Sequence, residues 1–305
     1  MNRIEFGKLV RALRLELLSL EGGPLMVREL AEKAELTESV LLNIESGRRT
    51  NIADDLLALA EALELTKNET KKFFAAASGI AINDETNSYY DPMMAYSKLS
   101  DFLAGSCSPA FLIDSFGDII EMNRFCLELF GMSQAELLGI SQTSEINFNL
   151  LTSIFAPEFD THVANIQRGL RPDKASAFFF NSIILFRTIT FKHRADPYFD
   201  YMLRQMLRKY SNFRANWHTA RLMDNDRFTD NIFLETQSDM FGKVSLLGTS
   251  TTAITQLGDL KLYIFSPQSP ESETVLSDLR CHRHGTNVIK LLPNWPQKPF
   301  GPSAE

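Results

Sequence analysis

Apolar residues recur at three- and four-residue intervals through the first 78 positions of this 305-residue chain. Phe6, Leu9, Val10, Leu13 and Leu17 mark one helical face and predict a helix over Ile4–Leu20. Glu21-Gly22-Gly23-Pro24 stops it, by backbone freedom and then by proline restriction. Val27, Leu30 and Ala31 space as one face of a second helix; Leu36, Val40, Leu41 and Ile44 space as a face of a third. Glu35-Leu36-Thr37 leaves room only for a corner between them, and the Thr37 hydroxyl suits the N-cap of the third helix. Ala53–Leu63 and Thr66–Ala77 give two more amphipathic helices, the last turning Phe73 and Phe74 toward a core. No internal repeat stands out.

Ser78–Pro92 is polar and rich in turn formers, which makes it the linker. A helix over Met94–Leu103 opens a second unit. Ala110–Ile113 and Ile119–Met122 then read as a hairpin turning through Asp114-Ser115-Phe116-Gly117-Asp118. Asn123 caps a helix over Arg124–Phe130. Helical periodicity returns at Asn149–Phe155 and Glu158–Gly169. A long tract covers Ala175–Lys192 and Pro197–Tyr210, broken near Ala195-Asp196-Pro197, and Ser211 caps Asn212–Arg221. Strands follow at Ile232–Glu235, Lys243–Gln256 and Leu260–Phe265, with a turn at Gly258-Asp259, before a short helix at Thr274–Cys281. The expected fold class is α+β, with units at 1–78 and 93–281, a linker at 79–92 and a loose tail at 282–305.

Two resemblances sharpen this reading. The run from Leu30 to Arg49, LAxKAxLTxSxLxxIExGRR, flanked by Phe6–Leu20 and Ile52–Leu65, resembles the XRE-type helix-turn-helix of bacterial repressors. Two positions depart from that pattern: Val27 stands where the family often has a phosphate-touching Gln, and Glu35 where its turn usually has Gly. The second unit has two strands, a helical middle and three strands, the order of a PAS-like fold. Its stretches PAFLIDSFGDIIEMNRFCLELFG, NFNLLTSIF, FRANW and LKLYIFSP resemble the MmyB-like ligand-binding domain over residues 90–270. The resemblances imply a five-helix DNA-binding domain followed by a five-stranded antiparallel sheet with helices over one face. They further imply an elongated aliphatic ligand such as a fatty acid.

Composition narrows the function classes. Apolar content of 44% supports a substantial core, and a net charge of −7 excludes a protein that coats nucleic acid nonspecifically. Specific DNA binding then needs a local basic face, which a homodimer would double. Three widely spaced cysteines do not form a disulfide framework, and no run reaches membrane-span length, so a cytoplasmic protein is expected. Cys281-His282-Arg283-His284 does not make a tetrahedral metal site, and no nucleophile pair, phosphate loop or cofactor motif is present. The chain is not expected to be an enzyme.

On the third helix, Thr37, Glu38, Ser39, Leu42 and Asn43 lie on or near the face opposite the apolar stripe. Asn43 suits adenine, Leu42 a thymine methyl, and Ser39 a base or a phosphate. Glu38 suits cytosine, or simply the positive end of the helix. Arg48 and Arg49 suit phosphate, Arg28 is a further DNA-binding candidate, and Glu45 suits an ion pair with an arginine inside the domain. Plain solvent exposure is the alternative for each base-reading candidate. In the second unit the ligand-binding candidates are Phe111, Ile113, Phe125, Leu151, Phe155, Phe213, Trp217 and Ile264, with Arg214 meeting a carboxylate. The partners expected are a double-stranded DNA operator, a small apolar ligand and a second copy of the chain. The alternative is a second unit that is a solid protein-interaction module without a ligand.

Overall fold

The structure, a computed structural model, describes residues 1–17, 23–49, 53–79, 90–130, 133–143, 146–160, 163–164, 172–220, 232–238, 242–281 and 288–298. Five helices form the N-terminal unit: α1 (Arg3–Leu15), α2 (Val27–Lys33), α3 (Glu38–Glu45), α4 (Ala53–Ala62) and α5 (Lys67–Ser78). The apolar stripes predicted from spacing close on one core, in which Phe6, Leu9, Val10, Leu30, Leu41, Ile44, Leu59 and Phe73 are almost fully buried. α1 ends earlier than its periodicity suggests. The chain turns so that the Leu25 N–H donates to the Leu17 carbonyl at 2.9 Å, which brings both leucines into the core.

Contrary to the expectation of no repeat, the string A-E-x-x-E-L-T occurs at Ala31–Thr37 and again at Ala60–Thr66. Both copies fold alike. Glu35 and Glu64 take left-handed φ values of 53° and 54°. The next residue's N–H reaches back to a small-residue carbonyl: Leu36 to Ala31 at 2.9 Å and Leu65 to Ala60 at 3.1 Å. Thr37 and Thr66 then cap α3 and α5. This is a helix-ending αL cap joined directly to an N-cap. Glutamate at the αL position costs roughly 1–2 kcal/mol that glycine would not.

The second unit starts before Met93. Tyr90 bridges to Thr255, and Asp91 caps α6 (Pro92–Gly105). Positions 80–89 of the expected linker lie outside the described residues. β1 (Ala110–Ile113) and β2 (Ile119–Asn123) form the predicted hairpin, and the Asn123 side chain caps α7 (Arg124–Phe130) by accepting from the Cys126 N–H at 3.3 Å. The helical middle comprises α8 (Gln134–Thr143), α9 (Thr152–Phe155), α10 (Pro172–Ile189), α11 (Pro197–Lys209) and α12 (Ser211–Thr219). Tyr210, not Ser211, occupies the N-cap of α12. β3 (Ile232–Ser238), β4 (Gly242–Thr255), β5 (Gly258–Pro267), α13 (Pro270–Cys281) and β6 (Val288–Lys290) complete the chain.

Among the described residues the sheet has six antiparallel strands in the order β3-β4-β5-β1-β2-β6, one more than expected. The sixth strand corrects the expected loose tail over part of its length. Val288–Lys290 pairs with Glu121–Asn123, Trp295 stacks on Tyr96, and Lys298 forms ion pairs with Asp114 and Asp118. Its three-residue strand is too short to show a period-two pattern in sequence. The layering also differs from a single covered face. Phe111, Ile113, Met122 and Phe265 meet the helical middle, while Ala110, Leu112, Ile120 and Leu262 on the opposite face meet Ala95, Leu99 and Leu103 of α6.

Gly7 is the point of closest approach in the N-terminal unit: a Cβ there would sit 2.4 Å from the Glu45 carbonyl oxygen and 2.6 Å from that of Ile44. Both obstacles are backbone, so α1 and α3 must separate to admit a methyl group. Gly7→Ala is therefore expected to destabilise the protein by about 1–3 kcal/mol. Gly139→Ala, in an exposed helix interior with open space at the same atom, is expected to stabilise it by about 0.5–1 kcal/mol. Urea midpoints of the two variants check the opposite signs.

Candidate functional site

Three features of the structure bear on function: an exposed edge on α3, an apolar cavity beneath the sheet, and a charged junction between the two units.

The α3 edge is open. Thr37, Glu38, Ser39 and Leu42 are exposed, Leu42 at 51%, and Asn43 is half-buried. α1 and α2 brace the helix from behind. The Arg14 guanidinium donates from Nε and Nη2 to the two Glu45 oxygens at 2.7 and 3.1 Å, and from Nη1 to the Leu25 carbonyl at 2.7 Å. Glu45 is thus the internal partner for an arginine that its position suggested. Gly47, at φ 70°, lets the chain leave α3 against the backbone of Ile4. Arg48 follows, exposed. Arg49 is half-buried and paired with Asp55 at 2.7 Å, and Arg28 is paired with Glu32 at 2.9 Å. Arg28 and Arg49 reach an anion only by releasing these carboxylates; Arg48 has no ion pair among the described residues. Exposed Glu32, Glu35 and Glu38 line the corner, so the edge is of mixed charge.

The apolar cavity, of about 100 Å³, lies between the sheet and the helical middle. Phe111, Ile119, Met122, Ile232, Leu234 and Phe265 line it from the strands; Phe178, Ser182 and Leu185 line it from α10; Phe148, Leu150, Ser153, Ile154 and Phe159 close it. Its two hydroxyls are already committed, Ser182 to the Phe178 carbonyl at 2.8 Å and Ser153 to the Leu150 carbonyl at 2.7 Å. Among the described residues no charged side chain lines the cavity. A second cavity, of about 280 Å³, has Phe148 as a shared wall and a polar lining of Thr152, Glu158, Lys209 and Tyr210. Burial and then the Glu158 charge push the Tyr210 hydroxyl above its ordinary pKa.

Of the ligand-binding candidates read from sequence, Phe111 lines the apolar cavity. Ile113 is solid core against the same face of the sheet, and Phe125 packs beside it. Leu151, Phe155, Phe213 and Trp217 form a separate cluster with α10 and α11, and Ile264 belongs to the opposite face. Arg214 points outward and caps α11 through the Leu207 and Arg208 carbonyls, away from either cavity lining. Sequence spacing carried a signal that this selection missed: Phe178, Ser182 and Leu185 form one i, i+4, i+7 stripe of α10. Arg221 and the His282/His284 pair lie outside the described residues, and among the described residues no group of His, Cys, Asp or Glu is arranged to hold a metal.

The junction is where the far end of α10 meets α5. Glu69 is fully buried and has three roles. It closes the capping box of α5 with Thr66, and it accepts from Arg187 at 2.8 Å and from Arg194 at 3.3 Å. Arg194 also pairs with Glu16, and Lys72 donates to the Thr188 carbonyl. Both guanidinium groups lie over Trp217, with Cζ 5.0 and 5.3 Å from the ring centroid. Between the two arginines, Phe191 leaves the second unit and is buried in the core of the first, the cluster that also holds Phe6 and Phe73. The protein thus has one continuous apolar and ionic connection from the cavity, along α10, to the helices that support α3.

No protein-family model and no curated protein matches this sequence.

Burial alone would push the Glu69 carboxyl up, but the Arg187 and Arg194 charges, with hydrogen bonds from Arg187 and Thr66, outweigh it and hold its pKa at about 2. A carboxyl depressed in the native state stabilises the fold above its ordinary pKa of 4.5, and the contribution drains away as pH falls toward about 2. Glu69→Gln is expected to flatten the pH dependence of the urea midpoint across that window. At neutral pH it should cost about 3–5 kcal/mol, because Arg187 is left buried without a counter-charge.

Proposed function

We propose that the chain is a DNA-binding transcription regulator whose second unit senses a small apolar ligand. The α2–α3 pair supports the first half of this reading. A short helix with a polar, exposed outer edge, steadied from behind by a preceding helix, has the docking geometry of a helix-turn-helix in the major groove. The XRE-type residues Leu30, Ala31, Leu36, Ile44, Glu45 and Gly47 occupy the core, ion-pair and turn positions that such a unit requires. Arg48 and Arg49 supply phosphate contacts, and Asn43, Ser39 and Leu42 face the bases. Two copies would supply two half-sites.

The second half rests on the strand order and the cavities. β2-β1-β5-β4-β3, with the helical middle inserted between β2 and β3, supports a PAS-like reading; β6 is an addition at the β2 edge. The apolar cavity alone is smaller than the ~150 Å³ that admits benzene. Joined to its neighbour by displacement of Phe148, it enters the ~300–1,000 Å³ range of ligand pockets. An elongated amphipathic molecule fits that combination. A hydrocarbon chain takes the cavity whose hydroxyls are spent, and a head group takes the side bearing Thr152, Glu158, Lys209 and Tyr210. A fatty acid is one such molecule.

The observation that carries the whole proposal is α10. Phe178, Ser182 and Leu185 line the cavity, and Arg187 at the C-terminal end of the helix, with Phe191 and Arg194 just beyond it, holds α5 and the N-terminal core. Filling the cavity moves that stripe, and the moved helix carries the N-terminal unit with it. Ligand acts only as far as it binds one such arrangement more tightly than another.

Two measurements test this. In mobility-shift titrations with an operator selected from a random duplex library, Arg48→Ala combined with Arg49→Ala should weaken binding to every sequence and lower the salt slope by about one per arginine. Unchanged affinity would remove the edge from the reading. Native mass spectrometry of gently purified protein should show an added lipid-sized mass that Ser182→Phe, which fills the apolar cavity, abolishes. Equal operator affinity before and after delipidation would sink the sensor claim.

A further inference from the structure

The β1–β2 turn gathers a further polar site, distinct from the two cavities above. Asp114 opens the turn and spends Oδ1 on the backbone N–H groups of Phe116 (2.9 Å) and Asp118 (3.2 Å), which leaves Oδ2 facing inward. Gly117, at φ 76° with the Phe186 ring against it, turns the chain so that Asp118 faces the same space. The Asp118 carboxylate is fully buried. Its Oδ2 accepts from the Tyr198 hydroxyl at 2.7 Å and the Asn147 amide at 2.9 Å, while its Oδ1 has no partner among the described residues. Phe116 and Tyr198 meet edge to face and wall the space with two aromatic rings.

An ammonium group fills this pocket. Lys298 Nζ, carried in by the arm that follows β6, contacts Asp114 Oδ2 and, at 2.6 Å, Asp118 Oδ2. It lies 4.9 Å from the Phe116 centroid and 5.0 Å from that of Tyr198. Two carboxylates and two ring faces around one nitrogen are the chemistry of alkylammonium recognition. The fit of Lys298 is incomplete. One ammonium meets two aspartates through their Oδ2 atoms, and Asp118 Oδ1 goes unserved by a side chain whose stem is anchored in the arm. A buried charged acceptor without a donor is costly. An untethered primary ammonium has the rotational freedom to serve both Asp118 oxygens and Asp114 together.

We propose that the pocket of Asp114, Asp118, Phe116 and Tyr198 is a binding site for a primary alkylammonium ion, and that Lys298 is its intramolecular occupant. The N–H bonds to both carboxylates select a primary amine over a quaternary one, which has no N–H to give. Displacing Lys298 frees the arm from the β2 edge inward. It also changes the partner of Tyr198, which opens α11 a short loop beyond Arg194 and the junction.

The test uses the full chain with Lys298→Met, which keeps the stem and removes the charge. Isothermal titration with n-butylammonium chloride is expected to show saturable binding to this variant, and tetramethylammonium chloride at the same ionic strength none. Adding Asp118→Asn should weaken the n-butylammonium affinity about ten- to a hundredfold, the loss expected for a hydrogen bond to a charged group. Absence of saturable binding to Lys298→Met, or binding that survives Asp118→Asn unchanged, would overturn the proposal. Should Lys298→Met fail to fold, its refolding yield becomes the readout: recovery with n-butylammonium but not with tetramethylammonium supports the site, and equal yields refute it.

Discussion

The two units are joined through a buried charge cluster. Glu69 accepts from Arg187 and Arg194, Glu16 takes the remaining arm of Arg194, and Trp217 lies under both guanidinium groups. Such a cluster is a poor source of net stability, because desolvating four charges consumes much of what their pairing returns. Its strength is intolerance. Remove or displace one member and the others are left charged in a dry interior. The two units are therefore held in one relative position or released, with little between.

The aromatic contacts sharpen the same point. Phe191 contributes to the first unit's core as fully as Phe6 or Phe73 does, although it follows them by more than a hundred positions. Trp217 supports the two arginines from beneath α10 and α11, in the cluster that also contains Phe186 and Phe199. Apolar packing and ion pairing thus converge on one short stretch, Arg187 to Arg194. The same stretch leads on to Asp196, Tyr198 and the polar pocket of the β1–β2 turn, where His193 lies over Phe116 and is kept neutral by burial, its pKa pushed down to about 4.

Local structure was well written in the chain. The stripes Phe6–Leu13 and Leu36–Ile44, the Thr37 cap, the hairpin around Asp114–Asp118, the Asn123 cap and the break at Asp196-Pro197 all follow from period, turn chemistry or capping. These are short-range effects, carried by residues a few positions apart. What escaped is long-range. Nothing near Glu69 announces two arginines from the other unit, since an acid at the third position of a helix already has a sufficient local reason in its capping box. Nothing near Lys298 announces a pair of aspartates 184 and 180 positions earlier in the chain. The cavity residues escaped for a different reason: Phe178 and Phe111 are as apolar as their neighbours Phe179 and Ile113, and only the path of the backbone decides which side chain faces a void. The outer edge of α3 lies between these cases. Its exposure was legible from the opposite apolar stripe, but the engagement of Arg28 with Glu32 and Arg49 with Asp55 was not.

The burial of Phe191 redraws the line along which this chain can be divided. A fragment ending at Ser78 retains all five N-terminal helices but loses an aromatic plug, leaving a hole in the core of Phe6 and Phe73 and an unanswered carboxylate at Glu69. A graft of these helices onto another protein would have to bring the Arg187–Arg194 segment with it. In evolutionary terms the modular unit is discontinuous: exchange of either half by recombination at the polar stretch after Ser78 breaks a shared interior that only co-inherited partners can refill.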